Sequence, residues 1–191
     1  MGLDMYLNRC DRRAYGFKNL NIDEIKERKP KLYEDLKPYI HKRGSEYYSW
    51  ESIFEDVGYW RKANEIHKWF VDNVQNEVDD CDYYEVSKEQ LEELLEVCIK
   101  VRDNSKLAKG LIQNGLKCEN GEWVPCMEEG EYIEDPTVAA KLLPTQSGFF
   151  FGGTSYDQWY FEDIIDTINI LTEVLETTDF DREMITYRSS W

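Results

Sequence analysis

Apolar positions between residues 57 and 74 recur at helical spacing. Tyr59, Ala63, Ile66, Phe70 and Val74 fall on one stripe at 3.6 residues per turn, which predicts a helix with that stripe on the core. Trp60, Asn64 and His67 make a second ladder beside it, one and two turns apart. At the start of the chain, Leu3, Met5 and Leu7 alternate with Asp4 and Tyr6, the pattern of a half-buried strand. Leu91, Leu94, Leu95, Cys98 and Val101 give the clearest helix. Ser87 with Gln90 three residues on forms a capping box at its start, and the pattern runs on, with a kink near Asn104 and Ser105, to Gly110. Tyr160, Ile164, Ile168, Leu171 and Leu175 predict a last long helix, which Thr154 or Ser155 would cap.

Breakers and turn residues place the rest. Asn21 caps a helical segment that Pro30 and Pro38 divide into two short helices before Gly44. Residues 46–50, with two Tyr and a Trp, read as a strand. Asp79, Asp80 and Asp82 mark a turn, followed by a short strand through Tyr83, Tyr84 and Val86. Asn120-Gly121 predicts a tight turn in a peripheral hairpin around 116–133, with Pro125 keeping its second strand at an edge. Asp135-Pro136-Thr137 opens a short helix ending at Pro144, and residues 184–187 suggest a final strand beside the first. The expected fold is α+β: a single domain over 1–191, with a small, mainly antiparallel sheet packed by about four helices.

Charge changes the picture more than composition does. Aromatic residues are 14% of the chain, too many for a disordered segment, so a packed core is expected. The formal charge of −16 argues against direct binding to nucleic acid or to an anionic membrane. It is unevenly spread. Residues 1–68 hold 14 Lys/Arg against 12 Asp/Glu, whereas residues 69–191 hold 9 against 27. An anionic small ligand would suit the near-neutral first third. Five cysteines, at 10, 81, 98, 118 and 126, are an odd number without Cys-x-x-Cys spacing, so neither a disulfide framework nor a zinc site is expected. Cys118 and Cys126 could meet across the hairpin, but reduced thiols are the expectation. No leader-like segment and no long apolar run are visible, and a cytoplasmic protein is expected.

Candidate chemistry gathers in two stretches. Arg61 and Lys62 could clamp a phosphate or carboxylate, or form surface ion pairs with the surplus acids. Trp60 and Trp69 could stack on a base, or pack in the core. His67 is one of only two histidines, with no carboxylate at metal-ligand spacing; it is either a hydrogen-bonded structural residue or an acid–base group. The second stretch runs from Leu143 to Asp157. Its glycines at 148, 152 and 153, ahead of a helix, suit an anion at a helix start or a tight aromatic turn, with Thr145, Gln146, Tyr156 and Asp157 as polar readers. Phe149, Phe150 and Phe151 cannot all face one side, so at least one points away from the core or into a cavity. No hydrolase elbow, Walker loop or His-Glu-x-x-His is present.

The opening Met-Gly-Leu-Asp-Met-Tyr-Leu, the block at 57–71 and the Leu143-Pro-Thr…Gly-Phe-Phe-Phe-Gly…Tyr156-Asp157 stretch resemble a family of small hypothetical proteins of bacteriophages. The resemblance brings no catalytic residues. It implies a phage accessory protein working in the cytoplasm of a bacterial host, a setting in which small proteins antagonise host defence. The function expected is noncatalytic sequestration of an anionic, nucleotide-derived molecule, with no cofactor and no metal. Trp60, Arg61, Lys62, Asn64, His67, Thr145, Gln146, Phe150, Tyr156 and Asp157 would line an open, electropositive hollow. The alternatives are an acidic DNA mimic that inhibits a host protein, and a nucleotide-cleaving enzyme using His67 with Asp157 or Glu65. Self-association stays open.

Overall fold

A computed structural model of the chain describes residues 2–44, 47 and 49–191. In chain order its elements begin with β1 (Asp4–Asp11), α1 (Ile22–Arg28), α2 (Pro30–Leu36), β2 (His41–Gly44), β3 (Ser49–Ser52) and β4 (Glu55–Arg61). Then come α3 (Asn64–Asn73), β5 (Tyr84–Val86), α4 (Lys88–Asp103), β6 (Leu107–Glu119) and β7 (Glu122–Ile133). The chain closes with α5 (Thr137–Leu142), α6 (Gln158–Thr177) and β8 (Glu183–Ser190). The fold is α+β, with six α-helices among the described residues rather than about four. The main sheet has the order β4-β1-β8-β5 and is antiparallel throughout. The first and last strands lie side by side at its centre, as the alternation predicted.

The sheet separates two cores. Met5 and Leu7 of β1, Trp60 of β4, and Ile185 and Tyr187 of β8 pack with Ile66 and Phe70 of α3, Leu91, Leu94 and Cys98 of α4, and Ile164 and Leu171 of α6. Successive strand residues point to opposite faces, so Tyr6, Asn8 and Cys10 look the other way. There Cys10 and Met184 join Ile22, Ile25, Leu36, Ile53 and Phe54 in a smaller core under α1, α2 and β3. On this second face Tyr6 lies opposite Arg188 and Asn8 opposite Thr186.

Local rules hold at several ends. The Asn21 side chain accepts the Glu24 N–H, and Ser87 with Gln90 forms the full capping box. Pro30 starts α2 at its first turn, where the missing N–H costs nothing. Asn120 and Gly121 both take positive φ, 53° and 87°, the shape that a two-residue hairpin turn requires. The hairpin runs over 107–133, longer than 116–133, and its base belongs to the main body, where Ile133 joins the larger core and Gln158 of α6 accepts the Glu131 N–H. Cys118 lies opposite Trp123, not Cys126, and both thiols are free.

Four expectations are corrected. Residues 57–61 are strand, not helix. Val-Gly-Tyr-Trp-Arg satisfies a period of two as well as 3.6 over so short a span, and pairing with β1 decides it. Gly58 lets this strand press on α6: a Cβ there would lie 2.7 Å from Ile170. Tyr59, placed on the core stripe, is 49% exposed, while Ala63, Ile66, Phe70 and Val74 are buried as expected. Second, α4 stops at Asp103, because the Asn104 side chain donates to the Lys100 carbonyl and Leu107 already pairs with Ile133. Third, α6 is capped by Asp157, which accepts the N–H groups of Trp159 and Tyr160, not by Thr154 or Ser155. Fourth, the strand expected at 46–50 is seen as Ser49–Ser52; Glu46 and Tyr48 lie outside the described residues.

Candidate functional site

The end of β4, the start of α3 and the Gly-rich loop do meet. They enclose a cleft of about 750 Å³ lined by Arg61, Lys62, Asn64, Thr145, Gly152, Gly153 and Asp157, with the N-terminal half of α6 and Gln113–Leu116 of the hairpin as the other walls. Lys62 turns the chain out of β4 at a φ of 67°, and its carbonyl accepts the Asn64 N–H. Asn64 is the latch between helix and loop. Its Nδ2 donates to the Gly153 carbonyl at 2.8 Å, and its Oδ1 accepts the Gln146 N–H at 2.7 Å. Thr145 donates to the Thr154 carbonyl, and Tyr156 accepts the Thr145 N–H. Asn64, the Gln146 backbone N–H and the Tyr156 hydroxyl therefore hold the loop, and of the three only Asn64 lines the cleft.

Three expected residues are elsewhere. Trp60 is 3% exposed and donates its indole N–H to Thr167 Oγ1 at 2.9 Å. His67 is wholly buried. Its Nε2 lies 3.0 Å from Asp79 Oδ2 and its Nδ1 2.8 Å from the Tyr187 hydroxyl, so the neutral ring donates to the carboxylate and accepts from the phenol. Burial lowers the His67 pKa against the pull of Asp79. Phe150 packs edge-on against Phe149, and both rings face solvent while Phe151 is buried beside His67. Two of the three phenylalanines thus point away from the core, and the pairing of His67 with Asp157 or Glu65 is not formed.

The hollow is also not electropositive. Against Arg61 and Lys62 it sets Glu65, Asp157, Glu162, Asp163 and Asp166. Burial pushes the Glu65 carboxyl well above its usual range, and Asp163 adds to the effect. Burial first, then Asp166, Glu162 and Asp157, raises Asp163 to about 7. The folded chain therefore keeps protons that the unfolded chain has released, so these groups cost stability as pH rises from the unfolded carboxylate range towards 7. Helical spacing carried the acids of α6 onto the hairpin side of the cleft, which only the tertiary arrangement reveals.

A second groove, also about 750 Å³, lies on the other face of the sheet, where sequence reasoning placed no site. Tyr6, Asn8, Lys18, Arg43, Trp50, Tyr83 and Arg188 line it, with Asp23, Glu51 and Asp56. Asn8 is 1% exposed. Its Nδ2 donates to Asp56 at 2.7 Å, and its Oδ1 has no hydrogen-bond partner among the described residues. Arg43 is matched by Asp56, to which it donates through both Nε and a terminal nitrogen. Glu51 is engaged by Tyr33 and Lys26. Arg188 and Lys18 differ: among the described residues neither has a carboxylate within ion-pair distance. Arg188 donates to the Cys81 carbonyl and to the Tyr83 hydroxyl, and its guanidinium sits 5.1 Å from the Tyr83 ring centre. Lys18 donates to the Tyr15 hydroxyl.

Comparison with family models, curated proteins and solved structures returned no match. The function is read from this geometry. The near-neutral charge of residues 1–68, which supply Tyr6, Asn8, Lys18 and Arg43, is compatible with an anion here but also covers Arg61 and Lys62, and so did not single out this groove.

Proposed function

We propose that the chain binds, without converting it, a small aromatic anion of nucleotide type in the groove on the second face of the sheet. The supporting observation is Asn8 Oδ1, a buried acceptor left without a donor, among the described residues, beside two cations that have no carboxylate partner there. An orphaned buried acceptor costs roughly 1–3 kcal/mol, which a ligand N–H or O–H would recover. A phosphate suits Arg188, whose guanidinium fork matches two phosphate oxygens, with Lys18 as a mobile point charge. Tyr6 and Trp50 form aromatic walls for a base. Of the three acids that line the groove, Asp56 and Glu51 are tied to cations and, among the described residues, only Asp23 is not, and binding rather than turnover is the reading. In the phage setting that the sequence resemblance implies, such binding would withdraw a host nucleotide signal.

Titration calorimetry with AMP, GMP, cyclic dinucleotides and ADP-ribose tests this. At least one is expected to bind, and Arg188→Ala to weaken it about 10–100-fold, the worth of a charged hydrogen bond. No heat from any of them with folded protein would contradict the proposal.

The DNA-mimic alternative gains nothing from α6, whose Glu162, Asp163 and Asp166 line a hollow instead of forming a ridge.

A further inference from the structure

The acidic cleft has its own unmet demand. Glu65, in the first turn of α3, is 2% exposed, yet it lines the cleft and its Oε1 has no hydrogen-bond partner among the described residues. A carboxyl buried in that way needs a donor. The walls around it are acidic: Asp157 at the cap of α6, with Glu162, Asp163 and Asp166 along its first turns. Arg61 and Lys62 enter from the end of β4, but Arg61 leans towards Asp4, 3.9 Å away. Tyr160 faces Glu65 from α6 with its hydroxyl spent on the Leu143 carbonyl, and Cys98 faces it from α4.

We infer that this cleft is a second ligand site, and that it takes an aliphatic organic cation, a primary amine or guanidinium, with one N–H given to Glu65 Oε1 and the charge held by Asp163 and Asp166. The inference is independent of the groove, which would hold a ligand of opposite charge on the other face of the sheet. The volume accommodates a molecule of several carbons beyond the charged group. A bare metal ion fits less well, since no cluster of three or more His, Cys, Asp or Glu among the described residues has metal-holding geometry. When a cation arrives, Glu65 and Asp163, whose carboxyls burial holds wholly or partly protonated, give up protons to solvent and meet the ligand as carboxylates. Binding therefore releases a proton and tightens as pH rises.

Titration of the whole chain with 1,4-diaminobutane and, separately, agmatine at pH 6 and pH 8 tests the site. The expected result is binding that is several-fold tighter at pH 8, with buffer-dependent heat reporting the released proton. Glu65→Gln, which keeps the size and offers no ionisable group, is expected to weaken binding at least 10-fold and to reduce the buffer dependence to the share that Asp163 supplies. Asp166→Asn, on the more open wall, is expected to weaken it a few-fold and guards against a folding defect in the first variant. Arg188→Ala should leave amine binding unchanged, which separates this site from the groove. Absence of binding to both amines, affinity untouched by both carboxyl variants, or displacement of the amine by micromolar Mg²⁺ or Ca²⁺ would overturn the inference.

Discussion

His67→Ala is expected to cost about 4 kcal/mol of stability, lowering the melting temperature by roughly 10–15 °C. The side chain is wholly buried and holds three elements of the chain together. Through Nδ1 it accepts the Tyr187 hydroxyl of β8, and through Nε2 it donates to Asp79, which also accepts the Trp191 indole N–H. Truncation leaves a cavity and strands the Tyr187 hydroxyl in the core. The sign of the pH dependence follows from burial, which holds the folded His67 pKa below 6.5. As pH falls through the unfolded value, the unfolded chain takes a proton that the folded chain refuses, because both ring nitrogens are engaged. The stability that His67 contributes is therefore complete above about pH 6.5 and declines below it. Thermal unfolding of wild type and variant between pH 5 and 8 should show a gap that narrows with acidification. A gap under 1 kcal/mol at pH 7.5 would mean that this network does not hold the fold.

Trp60→Ala should be the second large loss, about 3–5 kcal/mol, measured by denaturant unfolding. Its indole is surrounded by Phe70 and the larger core and bonded to Thr167, and it lines neither cavity. Ligand affinity per folded molecule should stay within about two-fold of wild type. A variant that kept its stability and lost ligand binding would restore Trp60 to the role its neighbours in sequence suggested.

These two residues show what the sequence made legible and what it did not. The helix and strand patterns at 3–7, 21–38, 87–101 and 184–187 were readable because local rules and tertiary packing agree there. At 57–61 they conflict: a five-residue span carries both periods, and the long-range pairing with β1 decides between them. That one misread element moved Trp60 off the site, since a strand turns alternate side chains to opposite faces while a helix would have kept the ladder together. The meeting of Lys62 with Gly152 was legible in the glycines, which admit close backbone approach. The charge of the cleft was not, because Glu162, Asp163 and Asp166 arrive from α6, about a hundred residues away. The groove escaped for the same reason. Arg188 is 182 residues from Tyr6 in sequence and its direct neighbour across the sheet.

Amide chemical-shift mapping during titration with the tightest nucleotide tests the central claim most directly. The predicted result is a set of shifts centred on Tyr6, Asn8, Tyr83 and Arg188, with residues 152–166 undisturbed. Shifts centred on Lys62 and Gly152–Asp157 with the second face silent would contradict it.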